Sequence, residues 1–177
     1  MITSRCRYSH ATLKRGTKVD GKENHANVNF PPPLIHLVAI MTAVGIDTLF
    51  PLALAAHGLS AMLGPVLMVL SALIAGSAFR QFARNDNPVP PNQPVKGLMK
   101  GLMDEGAFRF TRNPLYLALG LLHAGIGLIS GNGWVLITLL PALLVVRYYV
   151  ITREEAYLAR RFGQNYLDYK ARVRRWF

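Results

Sequence analysis

The sequence predicts an all-α integral membrane protein, with about four transmembrane helices in two hairpins, a cytoplasmic loop between them and a C-terminal amphipathic helix. Three observations carry this expectation. Of 177 residues, 51% are hydrophobic and only 16% charged, too apolar for an ordinary soluble domain. Two long windows are almost free of charge: Pro31 to Phe79 holds Asp47 alone, and Asn113 to Val146 holds no Asp, Glu, Lys or Arg. All 20 Lys and Arg residues lie outside these windows, six before Pro31, six from Arg80 to Arg112 and eight from Arg147 onward.

Each window is too long for one helix, because a hydrocarbon core about 30 Å thick is crossed by roughly 20 residues. The first divides at the polar break His57, Gly58 and Ser60, giving spans of roughly 34–56 and 60–79. The second divides at Ser130, Gly131, Asn132 and Gly133, where two glycines and an asparagine suit a tight turn. The third span, Pro114 to Ile129, is short for a crossing, which implies either shielding by protein at one end or a start inside the preceding loop. The chain thus partitions into a polar basic tail (1–30), a first hairpin (31–79), a loop (80–112), a second hairpin (113–151) and an interfacial helix (152–177).

Neither hairpin turn carries Lys or Arg, so the positive-inside rule places both termini and the central loop in the cytoplasm. The same distribution accounts for the net charge of +11 through attraction to anionic headgroups, with no nucleic-acid partner required. The tail through Phe30 is poor in apolar residues and is expected to be disordered and dispensable for chemistry, with Pro31, Pro32 and Pro33 setting it off from the membrane. Its opening, MITSRCRYSH, lacks a signal-peptide core, so the first span is expected to drive insertion. Cys6 is the one cysteine, which excludes a disulfide framework and a thiolate metal site; no metal is expected.

The central loop opens with the proline-rich run NPVPPNQP and continues as VKGLMKGLMDEGAFRFT, where glycines interleave with Leu98, Leu102, Met103, Phe108 and Phe110. A solvated linker needs no such apolar residues, so this stretch is expected to be ordered. After the last span, Leu158, Phe162, Tyr166, Tyr169 and Val173 recur at helical spacing opposite Arg160, Arg161, Lys170, Arg172 and Arg174, the pattern of a helix lying on headgroups. Small residues in GLLHAGIGLISG suit close helix packing.

Two patterns carry chemistry: RNPLY at Arg112 to Tyr116, and EE followed by FGQNYLDY after the fourth span. A tight hairpin between the spans brings both out at one membrane face. The stretches LMDEGAFRFTRNPLY and EEAYLARRFGQNYLDY resemble the membrane methyltransferases that include isoprenylcysteine carboxyl methyltransferase and the phospholipid N-methyltransferases, over roughly Pro88 to Tyr169. The first is similar to that family's R-[HN]-P-x-Y pattern with its preceding leucine, glycine and aromatic, the second to its E-E-x-x-L-x-x-x-F-G-x-x-Y-x-x-Y pattern.

The resemblance implies an S-adenosylmethionine site built from the loop and the ends of the last two spans. Asn113, Pro114, Leu115 and Tyr116 would line the cofactor, Glu154 would contact it, Phe108 would stand beside it, Lys100, Gly101, Leu102 and Met103 would offer mainly backbone, and Gln93 is a further carry-over. Physical chemistry agrees: a carboxylate attracts the sulfonium and ammonium or accepts from ribose hydroxyls, rings stack on adenine, and Arg112 suits the cofactor carboxylate. Each residue taken alone also has a plainer reading, namely Arg112 as a headgroup anchor, Pro114 as a helix-starting proline, Tyr116 as an interfacial tyrosine and Glu154 as a charge near a helix start.

Transfer from a sulfonium chiefly needs alignment and exclusion of water. A carboxylate acceptor is already ionised at neutral pH, whereas an amine must first lose a proton. Glu155 and Arg147 are the catalytic candidates near the site; Asp47 and His123 are further ionisable groups within spans, and His123 reads more naturally as a packed histidine. In the carboxyl methyltransferases an arginine about one turn before the glutamate pair holds substrate; its counterpart here is Val150, and Asn113 stands where they have histidine. The leading expectation is O-methylation of a lipophilic, isoprenylcysteine-like acceptor. The alternatives are a phospholipid amine N-methyltransferase or a non-catalytic four-helix membrane protein.

Overall fold

The computed structural model describes residues 26–55, 57–84 and 106–176. Gln93, Lys100, Gly101, Leu102 and Met103 lie outside the described residues.

The described chain is helical: α1 (Pro32–Leu49), α2 (His57–Arg84), a 3-10 turn (Gly106–Arg109), α3 (Pro114–Ser130), α4 (Gly133–Val145), a π-helical turn (Val146–Ile151), α5 (Thr152–Phe162) and α6 (Gln164–Arg172). Proline starts α1 and α3 in the first turn, where its missing N–H costs nothing. Gly131 ends α3 in the left-handed region (φ 66°), and the Asn132 side chain caps α4 by accepting from the amides of Trp134 and Val135 at 2.9 and 3.2 Å. The expected break of the second window at Ser130 to Gly133 is therefore the observed turn.

The break of the first window falls earlier than expected. His57, Gly58 and Ser60 belong to α2, and the chain leaves helix at Phe50. Pro51 cannot donate to the preceding turn, and Asp47, the one carboxylate of this window, turns its Oδ1 to the amide of Leu52 at 2.9 Å. Asp47 thus accepts from the chain at the turn, far along α1 from the RNPLY motif. The extended stretch that follows pairs with the other hairpin: Leu54 N donates to Gly131 O at 2.9 Å and Gly133 N donates to Leu52 O at 2.7 Å.

α2 packs along α3 and α1 along α4, with α3 touching α1, α2 and α4. The α2–α3 crossing is close because Gly64 and Gly125 face each other; a Cβ on Gly125 would lie 2.8 Å from Met68 Cγ and 3.0 Å from Gly64 O. Ser71 Oγ donates across the same seam to Ala118 O at 2.7 Å. Three helices are long and apolar enough to cross a bilayer, Pro32–Leu49, Gly58–Arg84 and Gly133–Phe162, and α3 is a shorter apolar helix. From Pro114 to Leu128 no residue of α3 is exposed, so protein shields it along most of its length. By contrast, Met41, Met62, Val66 and Leu73 of α1 and α2 stand outward, each more than 60% exposed, a surface suited to lipid and not to water. The molecule is a multi-pass membrane protein.

The helix that begins at Gly133 runs without a break through the π turn to Phe162. At 1.5 Å per residue about 20 residues cross the hydrocarbon. The crossing therefore ends near Ile151, and α5, which opens TREE, projects beyond it. Gly163 (φ 55°) then breaks the chain and α6 folds back. The single interfacial helix expected from 152 onward is thus two helices, the first continuous with the fourth span. Its stripe also packs on protein: Tyr166 and Tyr169 are 2% and 3% exposed, and Tyr169 Oη donates to Phe108 O at 2.9 Å. The end of the basic tail departs from expectation too, since Ala26 and Val28 are buried against Val150 and Tyr157. Their alternation puts two small apolar side chains on one side of an extended segment.

Candidate active site

The second hairpin brings the RNPLY motif, at the start of α3, beside the glutamate pair at the start of α5. Tyr116 Oη donates to Glu154 Oε1 at 2.5 Å, joining residues 38 apart in sequence. Tyr116 packs against the cluster of Val150 and Tyr157, with Ile35 of α1 against the same cluster. Crowding by protein atoms raises the Glu154 carboxyl to about 7; the Tyr116 hydrogen bond lowers it and the neighbouring Glu155 charge raises it.

Glu155 points elsewhere. It is buried, and Arg175 clasps it with two hydrogen bonds, Nε to Oε1 at 3.0 Å and Nη2 to Oε2 at 2.8 Å. Arg112 Nη2 stands 3.3 Å from Oε1 and Lys170 Nζ 3.3 Å from Oε2. Burial pushes this carboxyl upward, but the Arg175 hydrogen bonds and the charges of Arg112 and Arg175 outweigh it and hold it below the usual carboxylate range. A carboxylate held ionised by three cations is a poor proton acceptor. Glu155 is accordingly an ion-pair hub joining Arg112, Lys170 and Arg175.

The same hub draws the C-terminal tail over the motif. Arg112 N donates to Arg174 O at 3.0 Å, while Thr111 Oγ1 and Asn113 Nδ2 both donate to Arg175 O, at 3.0 and 3.1 Å. The Asn113 amide nitrogen is thereby committed to the tail. Phe108 is buried edge-to-face on Phe82 (5.7 Å between centroids) with Leu115, Leu158 and Phe162 around it, so its ring is packed and not presented for stacking. Pro114 is fully buried at the first turn of α3. Arg147 is exposed on the π turn, over the Tyr148 ring, and Arg153 lies over the Tyr149 ring at 3.9 Å. Val150 is completely buried and puts hydrocarbon beside Tyr116.

Arg112 offers donors to an anion. Arg112 has a side chain only 9% exposed, and its Nε and Nη1 are buried without a hydrogen-bond partner among the described residues. A guanidinium left two-thirds unpaired in a protected site fits a planar carboxylate.

The phospholipid methyltransferase family matches residues 59–165, more than half of the chain. The chain belongs to that family. An uncharacterized protein of Haemophilus influenzae is 39% identical over 62 residues, which are 35% of this chain and 98% of that protein. No solved structure matches significantly. The match spans α2, α3, α4 and α5, so the elements that carry Tyr116, Glu154 and Arg112 are all inside it.

Arg175, Lys170 and Tyr169 of this methyltransferase were not singled out as site residues in the sequence. Lys170 and Tyr169 sit on what reads as an interfacial face and stripe, and only the reversal at Gly163 turns them toward Glu155 and Phe108.

Proposed function

We propose that this membrane protein transfers a methyl group from S-adenosylmethionine to a lipophilic acceptor, at a cytoplasmic-face site between the start of α3 and the start of α5. The observation that carries the reading is the junction of the two motifs: Tyr116 bonded to Glu154, with the unpaired Nε and Nη1 of Arg112 beside Glu155. The Arg112 nitrogens suit the donor's carboxylate, and Glu154 supplies negative charge or an acceptor for its ammonium or ribose hydroxyls. When bound, S-adenosylmethionine supplies an activated methyl group. The chain's residues hold and orient it and keep water away. Basic residues beside these motifs and none at the hairpin turns support placing both termini in the cytoplasm.

Val150 at the counterpart of the substrate-holding arginine argues against a carboxylate acceptor of the isoprenylcysteine kind, because a buried aliphatic side chain offers such an anion nothing. The amine-acceptor reading gains by the same observation. Protein in lipid nanodiscs incubated with methyl-labelled S-adenosylmethionine and total membrane lipid should yield a labelled lipid. Saturable cofactor binding lost in Glu154→Ala and Tyr116→Ala would tie the product to this site; binding unchanged in both variants would overturn the proposal.

A further inference from the structure

The carboxylates of the described residues are all committed away from Arg153. Asp47 accepts from the Leu52 amide, Glu154 from Tyr116 and Asp168 from Gln164, while Glu155 is ringed by Arg112, Lys170 and Arg175. Arg153 instead holds its guanidinium over the Tyr149 ring, 3.9 Å from the centroid. A ring beneath a guanidinium fixes the group in place and leaves its N–H donors for an acceptor. Arg147 stands likewise over the Tyr148 ring, at 5.6 Å. Two cations without a carboxylate partner among the described residues thus flank neighbouring tyrosines.

Arg153 borders a lateral groove of about 670 Å³ between the start of α1 and the helix that continues from α4. Its walls are apolar and aromatic, with Phe30 and Ile35 on one side and Leu144, Val145, Tyr148 and Tyr149 on the other. Phe30 and Tyr148 keep 59% and 67% of their surface exposed, and Leu144 and Val145 44% each, so the groove opens outward. Leu144 and Val145 belong to the stretch that crosses the hydrocarbon, and the opening therefore faces lipid. From Leu144 to Arg153 the helix advances about 14 Å at an α-helical rise. A guanidinium at headgroup depth thus stands at the mouth of an apolar trough running into the bilayer, which matches a phosphate with an acyl chain below it.

Charge decides which lipid fits. An ammonium headgroup would meet two guanidinium groups and no uncommitted carboxylate, whereas a phosphate accepts from a guanidinium through two parallel hydrogen bonds. We propose that the groove seats one chain of an anionic, amine-free phospholipid with its phosphate on Arg153, as a bound lipid other than the methyl acceptor. This assignment does not depend on the methyl-transfer reading. The lipid would brace the seam between the start of α1 and the π turn, where the Phe30 ring meets that of Tyr149 (6.5 Å between centroids) and Asn29 N donates to Tyr149 Oη at 3.4 Å. Ile35 and Tyr149 pack against the Val150–Tyr157 cluster, as Tyr116 does, so an occupied groove supports the wall behind the Tyr116–Glu154 junction.

The experiment is native mass spectrometry of the full-length protein, without cofactor, titrated with phosphatidylglycerol or phosphatidylcholine of identical chains. The wild type is expected to retain one phosphatidylglycerol per chain, about tenfold more tightly than phosphatidylcholine, and Arg153→Gln to lose that tenfold preference, the size expected for a charge-assisted hydrogen bond. Val145→Trp, which fills the trough from an exposed position, should weaken retention of both lipids. Arg160→Gln makes the same charge change at an exposed site on α5, about 10 Å farther along the helix, and should retain phosphatidylglycerol within about twofold of wild type. Equal retention of the two lipids by the wild type, or equal losses in Arg153→Gln and Arg160→Gln as diffuse surface attraction would give, would overturn the proposal. So would wild-type retention by Val145→Trp, or a dimer abolished by Val145→Trp with no lipid retained, which would make a second copy of the chain the occupant. Should Arg153→Gln fail to fold, the lipid comparison and Val145→Trp carry the test under the same criteria. Protein that retains phosphatidylglycerol in this way but binds no S-adenosylmethionine would remove the methyl-transfer reading and leave this site standing.

Discussion

Replacing Arg175 with alanine tests whether the C-terminal tail is a working part of the site. Arg175 donates two charge-assisted hydrogen bonds to Glu155, whose side chain is 7% exposed, while its own keeps 27% of its surface. Hydrogen bonds to charged groups contribute about 1.5–3 kcal/mol each. Arg112 and Lys170 remain beside Glu155 in the variant, so the carboxylate is not left uncompensated, and the lower part of that range applies. A loss of about 2–3 kcal/mol follows, or roughly 4–12 °C in thermal midpoint for a domain of this size. The tail also holds the motif through Arg174 O and Arg175 O, so its release should loosen Arg112 and Asn113 and weaken cofactor binding about tenfold or more, a tenfold loss being 1.4 kcal/mol. The assay is thermal unfolding in nanodiscs together with equilibrium binding of cofactor. Arg174→Ala is the control, since the Arg174 side chain is exposed and its contact to the motif is made by backbone; it should stay within about 0.5 kcal/mol of wild type. An Arg175→Ala protein as stable as Arg174→Ala, with unchanged affinity, would refute the clasp.

Other outcomes follow from the same contacts. In a double-mutant cycle, Tyr116→Phe and Glu154→Gln should couple by about 1–3 kcal/mol in cofactor affinity, because each removes the same hydrogen bond; additive effects would deny that the bond matters. With the Glu154 carboxyl raised to about 7, mainly by burial, the ionised form that attracts a cationic donor is gained only as pH rises through that value. Affinity should therefore climb between about pH 6 and 8 in wild type and stay flat in Glu154→Gln. Glu155 has the opposite sign: its depressed pKa adds stability that is present above its ordinary value and lost as pH falls below it, so Glu155→Gln should blunt the acid limb of the stability profile. Gly125→Ala should cost about 1–3 kcal/mol in detergent unfolding, since its Cβ would press on Gly64 O, a backbone atom that cannot swing away.

What could be read in the sequence follows the range of the interactions involved. Charge-free windows, proline starts and the Gly131–Asn132 turn act locally, so the helices and the closing turn of the second hairpin were legible. The partnership of the two motifs was legible because a tight hairpin leaves its two ends adjacent whatever else the chain does. Contacts made by chain reversal were not. Nothing local announces that residues 52–54 pair with 131–133, or that Gly163 bends α6 so that Tyr169 reaches Phe108 and Lys170 reaches Glu155. Glu155 illustrates the difficulty: beside Glu154 in sequence, it lies 100° around the helix and meets three cations, two of them from the far C-terminus.

In the proposed function, the Tyr116–Glu154 junction and Arg112 together hold the methyl donor. Equilibrium binding of S-adenosylmethionine to purified protein in nanodiscs tests it most directly. Binding should be saturable at one site per chain and weakened at least tenfold in each of Tyr116→Phe, Glu154→Gln and Arg112→Gln; no saturable binding, or wild-type affinity in all three variants, would rule the site out.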